Sequence, residues 1–569
     1  MLSQDLDDAS LYPQSQGSCH ASLKSPIQAL PAETLAGIFE AYIDQYRRAP
    51  WSILEHFRQR VRGIETLCLV CRTWREVAMR HAALWSNLAV PLVHAGSMAP
   101  ADDPGMVLEE DAVGIRTWLG RIGATPWSLT LCRTRSSGVA TTGSSEPASV
   151  VPVRDLLALD GAHLNPLDNV RFLNATFTTE GHLGDVGGLG LEGLTLPNVR
   201  GLFMGLDVPA MNREPTSLAL PILPSLRQAM LMTWKLATVP HDFPWTKLTH
   251  VFLLRMITIC SKDVAAILRY CAHNLQRATF STVTANSWEN IQPPFDNPSR
   301  NVDGDGLCEL ASLTHLTIGG VWVPEYATDM SFPNLTVLRI LDRRDRGATF
   351  PFFNSDTLWQ FRNVRKLSLT GEYAGLFART LEDIEPDDGF PFLTDLYLDG
   401  NVYSVVDLAS TLVFDMDEPR FPHLENLRVH CEIGELEDYR AGGWDASNDG
   451  GGVKPEERLA ELVASRTGEN ASPDVEGGCK ALKGLTVRVT PPREVGWVPA
   501  GCWQKPSATP EKKCDDVAER VKRSLEAYEE ELSVEIVRGK APSHAEFFAV
   551  DLDGWDPLFE EAFAGVPFL

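Results

Sequence analysis

Three stretches of the chain carry residue types at spacings that could do chemistry. Cys68-Leu-Val-Cys71 has the spacing of half a zinc site, in which paired thiolates reach one tetrahedral ion. No second Cys or His pair follows at a matching distance, and both residues fall on an apolar helical pattern, so packing is their expected role. Gly188-Leu-Gly190-Leu-Glu-Gly193 matches the glycine spacing that lets a backbone cradle a pyrophosphate. That chemistry needs a strand before the glycines and a helix after them. Here a Gly-rich loop precedes, and Leu194-Thr-Leu196-Pro197 follows, so a turn is expected. Asn301-Val-Asp303-Gly-Asp305-Gly306 begins like a calcium loop, but the twelfth position is Ser312 rather than Glu. A solvated loop is the expectation. The chain contains no Gly-x-Ser-x-Gly, no His-Glu-x-x-His and no Gly-x-x-x-x-Gly-Lys. No catalytic residue, metal ligand or cofactor is therefore assigned, and the expectation is a protein that is not an enzyme.

Stepping from motifs to bulk properties, 569 residues exceed one hydrophobic core unless elements repeat in a row. Two or more units, or a solenoid, follow. The net charge of -25 opposes both the basic footprint of sequence-independent nucleic-acid binding and attraction to an anionic membrane. No apolar run approaches the roughly 20 residues of a membrane span; Val251 to Cys260 comes nearest and Arg255 interrupts it. MLSQDLDDAS lacks the basic and apolar regions of a secretory signal, so a cytoplasmic or nuclear setting is expected. Eleven scattered cysteines make a poor disulfide framework, and most are expected as buried thiols.

Residues 1–25 are polar and carry no apolar period, as a flexible leader would. From Leu30 the pattern changes. Leu35, Ile38, Phe39 and Tyr42 share one face of a predicted helix, with Pro31 suited to its first turn and Glu33 to its positive end. Residues 51–64 repeat the spacing with Ile53, Phe57, Val61 and Ile64, interleaved with Arg58, Arg60 and Arg62. Leu67, Val70, Cys71, Trp74 and Ala78 give a third helix, and Leu84-Trp85 closes the unit. Three short helices around so small a core leave part of their apolar face for a partner.

The succession Leu30-Pro31-x-Glu33-x-Leu35-x-x-Ile38-Phe39, then Leu67-x-x-Val70-Cys71-Arg72-x-Trp74-Arg75, then Leu84-Trp85 resembles the F-box, the helical module that docks onto the Skp1 adaptor of SCF ubiquitin ligases. It spans about a tenth of the chain. Residues 45–65 make the link between the first two motif helices longer than usual, as occurs in the F-box-like proteins of filamentous and mushroom-forming fungi. The resemblance implies adaptor binding through Leu30, Pro31, Leu35, Ile38, Phe39, Leu67, Val70, Cys71, Trp74, Leu84 and Trp85.

Beyond a Pro, Gly and Asp-rich link, Ile115 to Leu131 reads as helix, Gly turn and strand. A phrase then recurs: an apolar residue, two variable ones, a second apolar residue, one variable and a third. The clearest copies are Phe332-Pro-Asn-Leu335-Thr-Val-Leu338-Arg-Ile340, Phe361-Arg-Asn-Val364-Arg-Lys-Leu367-Ser-Leu369, Phe390-Pro-Phe-Leu393-Thr-Asp-Leu396-Tyr-Leu398 and Phe421-Pro-His-Leu424-Glu-Asn-Leu427-Arg-Val429. Weaker copies begin at Leu196, Leu223, Phe243, Leu310 and Lys480. Subtraction from Leu335 to Val364, Leu393 and Leu424 gives spacings of 29, 29 and 31; Leu424 to Leu482 is 58, equivalent to two units. A constant period of this size marks a solenoid. Each phrase alternates, so its second and third apolar residues point inward from a strand. Helical stretches such as Ser261 to Cys271 lie between. One strand and one helix per repeat resembles irregular leucine-rich repeats, with Asn401 placed to bond the turn in one copy.

The expected fold is thus α/β: an F-box-like domain of three helices at 26–90, a linker at 91–112, and an irregular leucine-rich-repeat solenoid, or horseshoe, at 113–500. Disordered insertions are expected near 133–150 and 434–478. A helix at 513–540 follows, with Val517, Val521, Leu525, Tyr528 and Leu532 on one face. The tail at 541–569 is acidic and aromatic, and serves either as a cap on the last repeat or as a docking segment. The expected function is substrate recognition for an SCF-type ligase, with a Skp1-like adaptor and through it a cullin as partners. An unidentified target protein would lie on the concave face, at Arg339, Ser368, Tyr397 and Arg428. The other reading is a scaffold whose F-box-like helices act independently of ubiquitination.

Overall fold

The computed structural model describes residues 30–44, 53–93, 105–133, 149–157, 165–177, 190–206, 220–232, 239, 242–254, 259–283, 307–320, 328–341, 358–370, 377, 380–381, 389–400, 409, 411–413, 420–432, 455–467, 479–490, 510–528, 532–538, 555 and 559. The fold is mixed α/β, with eight α-helices among the described residues. Contacts divide the chain into two compact units, Met1–Leu248 with Leu552–Leu569, and Thr249–Asp551.

The first unit opens with helices α1 (Ala32–Asp44), α2 (Ile53–Val70) and α3 (Arg72–Arg80), then a 3-10 turn at Ala82–Trp85. There follow β1 (Asn87–Leu92), β2 (Met106–Leu108), α4 (Glu109–Ile122), β3 (Trp127–Arg133), β4 (Val150–Pro152), α5 (Val153–Leu157), β5 (Val170–Phe177), β6 (Gly201–Leu206) and β7 (Gln228–Met232). Strands β1, β3, β5, β6 and β7 pair in that order, all parallel. Their alternate residues, such as Leu129 and Leu131, Leu173 and Ala175, Leu202 and Met204, are buried in register. The helix, Gly turn and strand expected from Ile115 onward are α4, Gly123 at φ 59° and β3.

The second unit contains β8 (His250–Leu254), α6 (Ser261–Cys271), β9 (Arg277–Val283), β10 (Cys308–Glu309), β11 (His315–Gly320), β12 (Met330–Ser331), β13 (Val337–Leu341), β14 (Lys366–Thr370), β15 (Asp395–Gly400), β16 (Asn426–Glu432), α7 (Pro455–Ser465), β17 (Gly484–Thr490), α8 (Pro510–Leu525) and β18 (Ser533–Arg538). Apart from the small β10–β12 pair, each strand pairs in parallel with the next from β8 to β18. The repeated phrase explains this ladder. Leu338, Leu367, Leu396, Leu427 and Leu485 form one buried row, and Ile340, Leu369, Leu398, Val429 and Val487 form the next. Each such side chain contributes roughly 1.5–3 kcal/mol by leaving water. A one-residue slip would turn both rows outward, so the register is strongly specified.

Two features of the phrase do further work at its leading end. Phe332 stacks on Phe361 at 5.4 Å, and Phe390 on Phe421 at 6.5 Å, all four buried. Asn334 Nδ2 donates to Ala311 O and Asn363 Nδ2 to Pro333 O, each at 2.7 Å, while Asn198 Nδ2 donates to Asp168 O at 2.6 Å. These side chains satisfy turn carbonyls of the preceding copy. Asn401, expected in that role, lies outside the described residues.

Several boundaries differ from expectation. The second and third helices divide at Cys71, not between Ile64 and Leu67, because Cys71 adopts extended backbone and its sulfur accepts the Trp74 N–H. Arg75 Nε then donates to Cys68 O at 3.0 Å, closing the end of α2. The 58-residue interval from Leu424 to Leu482 is one connection rather than two repeats, since β16 pairs directly with β17 and α7 lies between them. That helix also falls within the insertion expected to be disordered, and buries Leu459, Leu462 and Val463. The helix expected to reach residue 540 ends at Leu525 and a short 3-10 turn; Ser533–Arg538 instead forms β18, whose β-branched residues alternate. Short 3-10 turns at Trp245–Lys247 and Trp359–Phe361 precede β8 and β14, as α6 precedes β9. The leader, most of the Ser-rich loop and residues 301–306 lie outside the described residues. Within the tail, Trp555 and Phe559 are buried in the first unit, Phe559 against Phe172 at 4.8 Å.

Candidate functional site

The N-terminal helices build their own core before offering a surface. At about 100° per residue, Leu35, Phe39 and Ile43 span one narrow arc of α1, and all three are fully buried. Ile38 falls about 100° from the centre of that arc and is 41% exposed. The predicted face of Leu35, Ile38, Phe39 and Tyr42 is therefore split. Phe39 meets Trp74 of α3 at 4.9 Å, and His81 Nε2 lies 2.6 Å from Glu40 Oε1, fastening α1 to the end of α3. Ile64 and Leu67 of α2 complete the core, whereas Leu69 and Val70 at its end are 74% and 55% exposed.

Of the residues assigned to adaptor docking, Leu35, Phe39, Leu67, Leu84 and Trp85 are buried. Leu30, Cys71 and Trp74 are half-buried, while Pro31, Ile38 and Val70 are exposed. Leu69 was not among them, although among the described residues its large apolar side chain is the most exposed on these helices. Helical periodicity could have found it, because it lies off the Ile64 and Leu67 face.

Trp85 is buried because it joins the helices to the rest of the first unit. Its Nε1 donates to Ala78 O at 2.9 Å, its ring meets Trp118 of α4 edge-on at 4.6 Å, and the Arg121 guanidinium sits 4.4 Å above it. Trp118 Nε1 returns a bond to Trp85 O at 2.7 Å. Burial pulls the Arg121 pKa down, but the cation–π contact holds the charge in place. Arg60, one of the three arginines interleaved along the second predicted helix, is buried and donates to Leu84 O at 3.4 Å. With the Asn87 amide oriented to suit its neighbours, its oxygen accepts from Arg60 Nη1 at 3.2 Å and its nitrogen donates to Ser86 O. Only Arg58 and Arg62 remain on the exposed face.

The sequence motifs for small ligands resolve into local structure. Burial raises the Cys68 thiol pKa against the pull of Arg121 and Arg75. Of the described cysteines, Cys132, Cys260, Cys271 and Cys479 are buried; the Cys132 thiol is pushed up to about 12 by burial. Gly190 and Gly193 take φ values of 69° and 73° in a turn, and the residues after them run extended into a bridge at Thr195, with no helix to hold a phosphate. Among the described residues no group of three or more His, Cys, Asp or Glu is placed to hold a metal ion. No helix among them is long and apolar enough to cross a membrane.

The second unit brings together a histidine, an acid and a hydroxyl that the sequence scatters. His430 Nε2 lies 2.9 Å from Thr490 Oγ1, and Nδ1 lies 2.9 Å from Asp399 Oδ1 at an angle too oblique for a full hydrogen bond. Acid, imidazole and hydroxyl in line is a nucleophile-activating order. Both His430 and Thr490 are sealed from solvent, however, which leaves no side for a substrate. The trio ties the ends of β15, β16 and β17 together.

The same unit presents the strand face opposite its leucine rows. Along β8 to β13 the middle residues of that face, Phe252, Thr279, Thr317 and Arg339, are buried, Arg339 to 7% exposure. From β14 onward the face opens: Ser368, Tyr397 and Thr486 are half-buried and Lys366 and Arg428 exposed. Of the four positions assigned to target contact, Arg339 is thus covered, while Ser368, Tyr397 and Arg428 stand in one accessible register row.

Compared with protein-family models the chain matches none, and no curated protein matches it significantly.

Proposed function

We propose that this protein is a non-catalytic target-recognition subunit of an SCF-type ubiquitin ligase, with an N-terminal F-box and an irregular leucine-rich-repeat solenoid. The observation that carries the reading is the exposure of Ile38, Leu69 and Val70 on helices whose own core is already complete. Large apolar side chains left in water beside a finished core mark a surface that a partner covers. Leu30-Pro31-x-Glu33 and Val70-Cys71-Arg72-x-Trp74 supply the F-box resemblance at the same helices. The repeated phrase, its parallel strands and the asparagine bonds between copies support the solenoid. Function would come from proximity: a target held on the repeats is carried to a ubiquitin-loaded enzyme brought by the adaptor and cullin, which raises the effective concentration of its lysines.

The test is co-purification with a Skp1-like adaptor, comparing wild type with Ile38→Glu combined with Val70→Glu. Both positions point to solvent, so the variant should fold while adaptor capture falls at least about tenfold. Equal capture by wild type and variant would sink the docking reading.

A scaffold reading, in which the helices cap the parallel strands, is favoured by one specific observation: the Arg60, Trp85, Trp118 and Arg121 seam makes α1 to α3 part of the first unit's core. Deleting residues 1–90 would remove part of β1 and bare Trp118. The two roles are compatible at different faces of the same helices, and adaptor capture decides whether the exposed one is used.

A further inference from the structure

The chain's own tail occupies a seat on the sheet of the first unit. On β5, β6 and β7 the strand face opposite the buried Leu173 and Leu202 sets Phe172, Gly201 and Gln228 in one register row and Asn174, Phe203 and Met230 in the next, with no charged side chain among them. Gly201 leaves a gap in the first row, and the Phe559 ring fills it. That ring meets Phe172 edge-on at 4.8 Å and Trp555 at 4.7 Å, and all three aromatic side chains are buried. A Cβ on Gly201 would stand 2.9 Å from Phe559 Cε2 and 2.6 Å from Phe172 Cδ2, so glycine is what lets both rings lie against the strand. The residues that specify strand register, Leu173, Ala175, Leu202 and Met204, are buried on the other face. Trp555 and Phe559 arrive from the far end of the chain, since Thr249–Asp551 belongs to the second unit. In that unit the corresponding strand face is accessible at Ser368, Tyr397 and Arg428.

We propose that Trp555 and Phe559 are a displaceable ligand carried on the same chain, holding the seat at Phe172 and Gly201 against a segment of another protein that bears two aromatic residues four apart. Apolar burial and edge-on ring contacts supply the recognition, so added salt changes it little. An uncharged face gives a phosphate backbone nothing to pair with, which selects a protein segment over a nucleic acid. A ligand on the same chain acts at an effective concentration on the order of 1 mM, so a partner in solution takes the seat only by binding more tightly than the tail does. The tail thereby keeps this face closed until such a partner arrives. The seat lies on the sheet and not on α1 to α3, so its use does not depend on adaptor docking.

The test uses the full chain and fluorescence anisotropy, with a labelled synthetic peptide of residues 546–569 as the probe. Trp555→Ala with Phe559→Ala in the chain empties the seat. That variant should bind the peptide saturably, and wild type should bind it at least about tenfold more weakly because its own tail competes. The same two substitutions in the peptide should weaken its binding to the variant chain by at least about tenfold. Absence of peptide binding by the variant, equal binding by wild type, or equal binding of the substituted peptide would each overturn the inference. Hydrogen exchange on the wild-type chain keeps the test independent of whether the variant folds. Amides around Trp555 and Phe559 should exchange at least about a hundredfold faster than those of β5 and β6 after correction for intrinsic rates. Exchange in step with those strands would place the tail in the same cooperative core and defeat displacement. Adaptor capture is scored on the same chains. Absence of peptide binding with adaptor capture intact defeats only this inference, whereas peptide binding without adaptor capture defeats only the ligase reading.

Discussion

Acidification should loosen the second unit through one buried imidazole. His250 opens β8, nearly closed to solvent, with Nδ1 2.9 Å from Thr249 Oγ1 and Arg277 and then His315 beside it in register. Burial first, then the positive charge of Arg277 and the ring of His315, lower its pKa from 6.5 to about 4. The folded unit therefore takes up this proton later than the unfolded chain, and stability falls as pH drops through the window from 6.5 to 4. Linkage gives a loss of roughly 2 kcal/mol at about pH 5 against about 0.2 kcal/mol at about pH 7. Hydrogen exchange read on peptides covering β8 and β9, corrected for the intrinsic rate at each pH, reports the local opening energy directly. Wild type should lose roughly 2 kcal/mol of protection between the two pH values, and His250→Asn, which keeps a donor or acceptor at the Nδ1 position but does not titrate, should lose much less. If the two chains lose protection equally, the imidazole is not what responds.

Two further substitutions probe the seams that hold each unit. Trp118→Ala removes the edge-on partner of Trp85 and the bond to Trp85 O, and should destabilise the first unit by roughly 3–5 kcal/mol in denaturant unfolding. Trp118→Phe should cost much less because a ring remains; similar losses for both would show that the aromatic packing is not the main contribution. Arg466, fully buried after α7, donates to Leu412 O at 3.1 Å, Phe421 O at 3.0 Å and Arg420 O at 2.7 Å, and burial lowers its pKa to about 10. Arg466→Met should cost roughly 3–5 kcal/mol, since three carbonyls lose their donor and Phe421 loses support for its φ of 50°. Faster proteolysis near residues 409–421 is the readout, and unchanged cleavage there would refute the clamp.

The parts of this fold that were legible in the sequence are those where one periodicity dictates one answer. Leu338, Leu367, Leu396 and Leu427 alternate with polar neighbours at a near-constant interval, and the strands fall where that alternation places them. Ser261 to Cys271 was equally clear, with an apolar face that α6 buries and Asp263 Oδ2 accepting from Cys260 N at 2.9 Å. The sequence was silent where contact partners come from far away. Nothing local distinguishes Arg60 or Arg466, which are buried, from Arg58, which is exposed, because the carbonyls that accept from the buried two lie 24 to 54 residues distant. The Trp85 and Trp118 seam is hidden for the same reason, being formed across 33 residues.

The candidate surfaces show how far a correct period can mislead about function. Along α1 the spacing of Leu35, Ile38, Phe39 and Tyr42 marks apolar residues without saying which belong to the core and which to a partner. Adding Ile43 decides it, because the arc shared by Leu35, Phe39 and Ile43 is complete without Ile38. Along the strands, alternation sends Arg339, Ser368, Tyr397 and Arg428 to one face, yet covers the first and opens the last. In both places periodicity identifies the side of an element, and only the surrounding chain determines whether that side meets water. A residue proposed for docking must satisfy both conditions, which Ile38, Leu69 and Val70 do and Leu35 and Phe39 do not. Along the strands, Ser368, Tyr397 and Arg428 satisfy them and Arg339 does not.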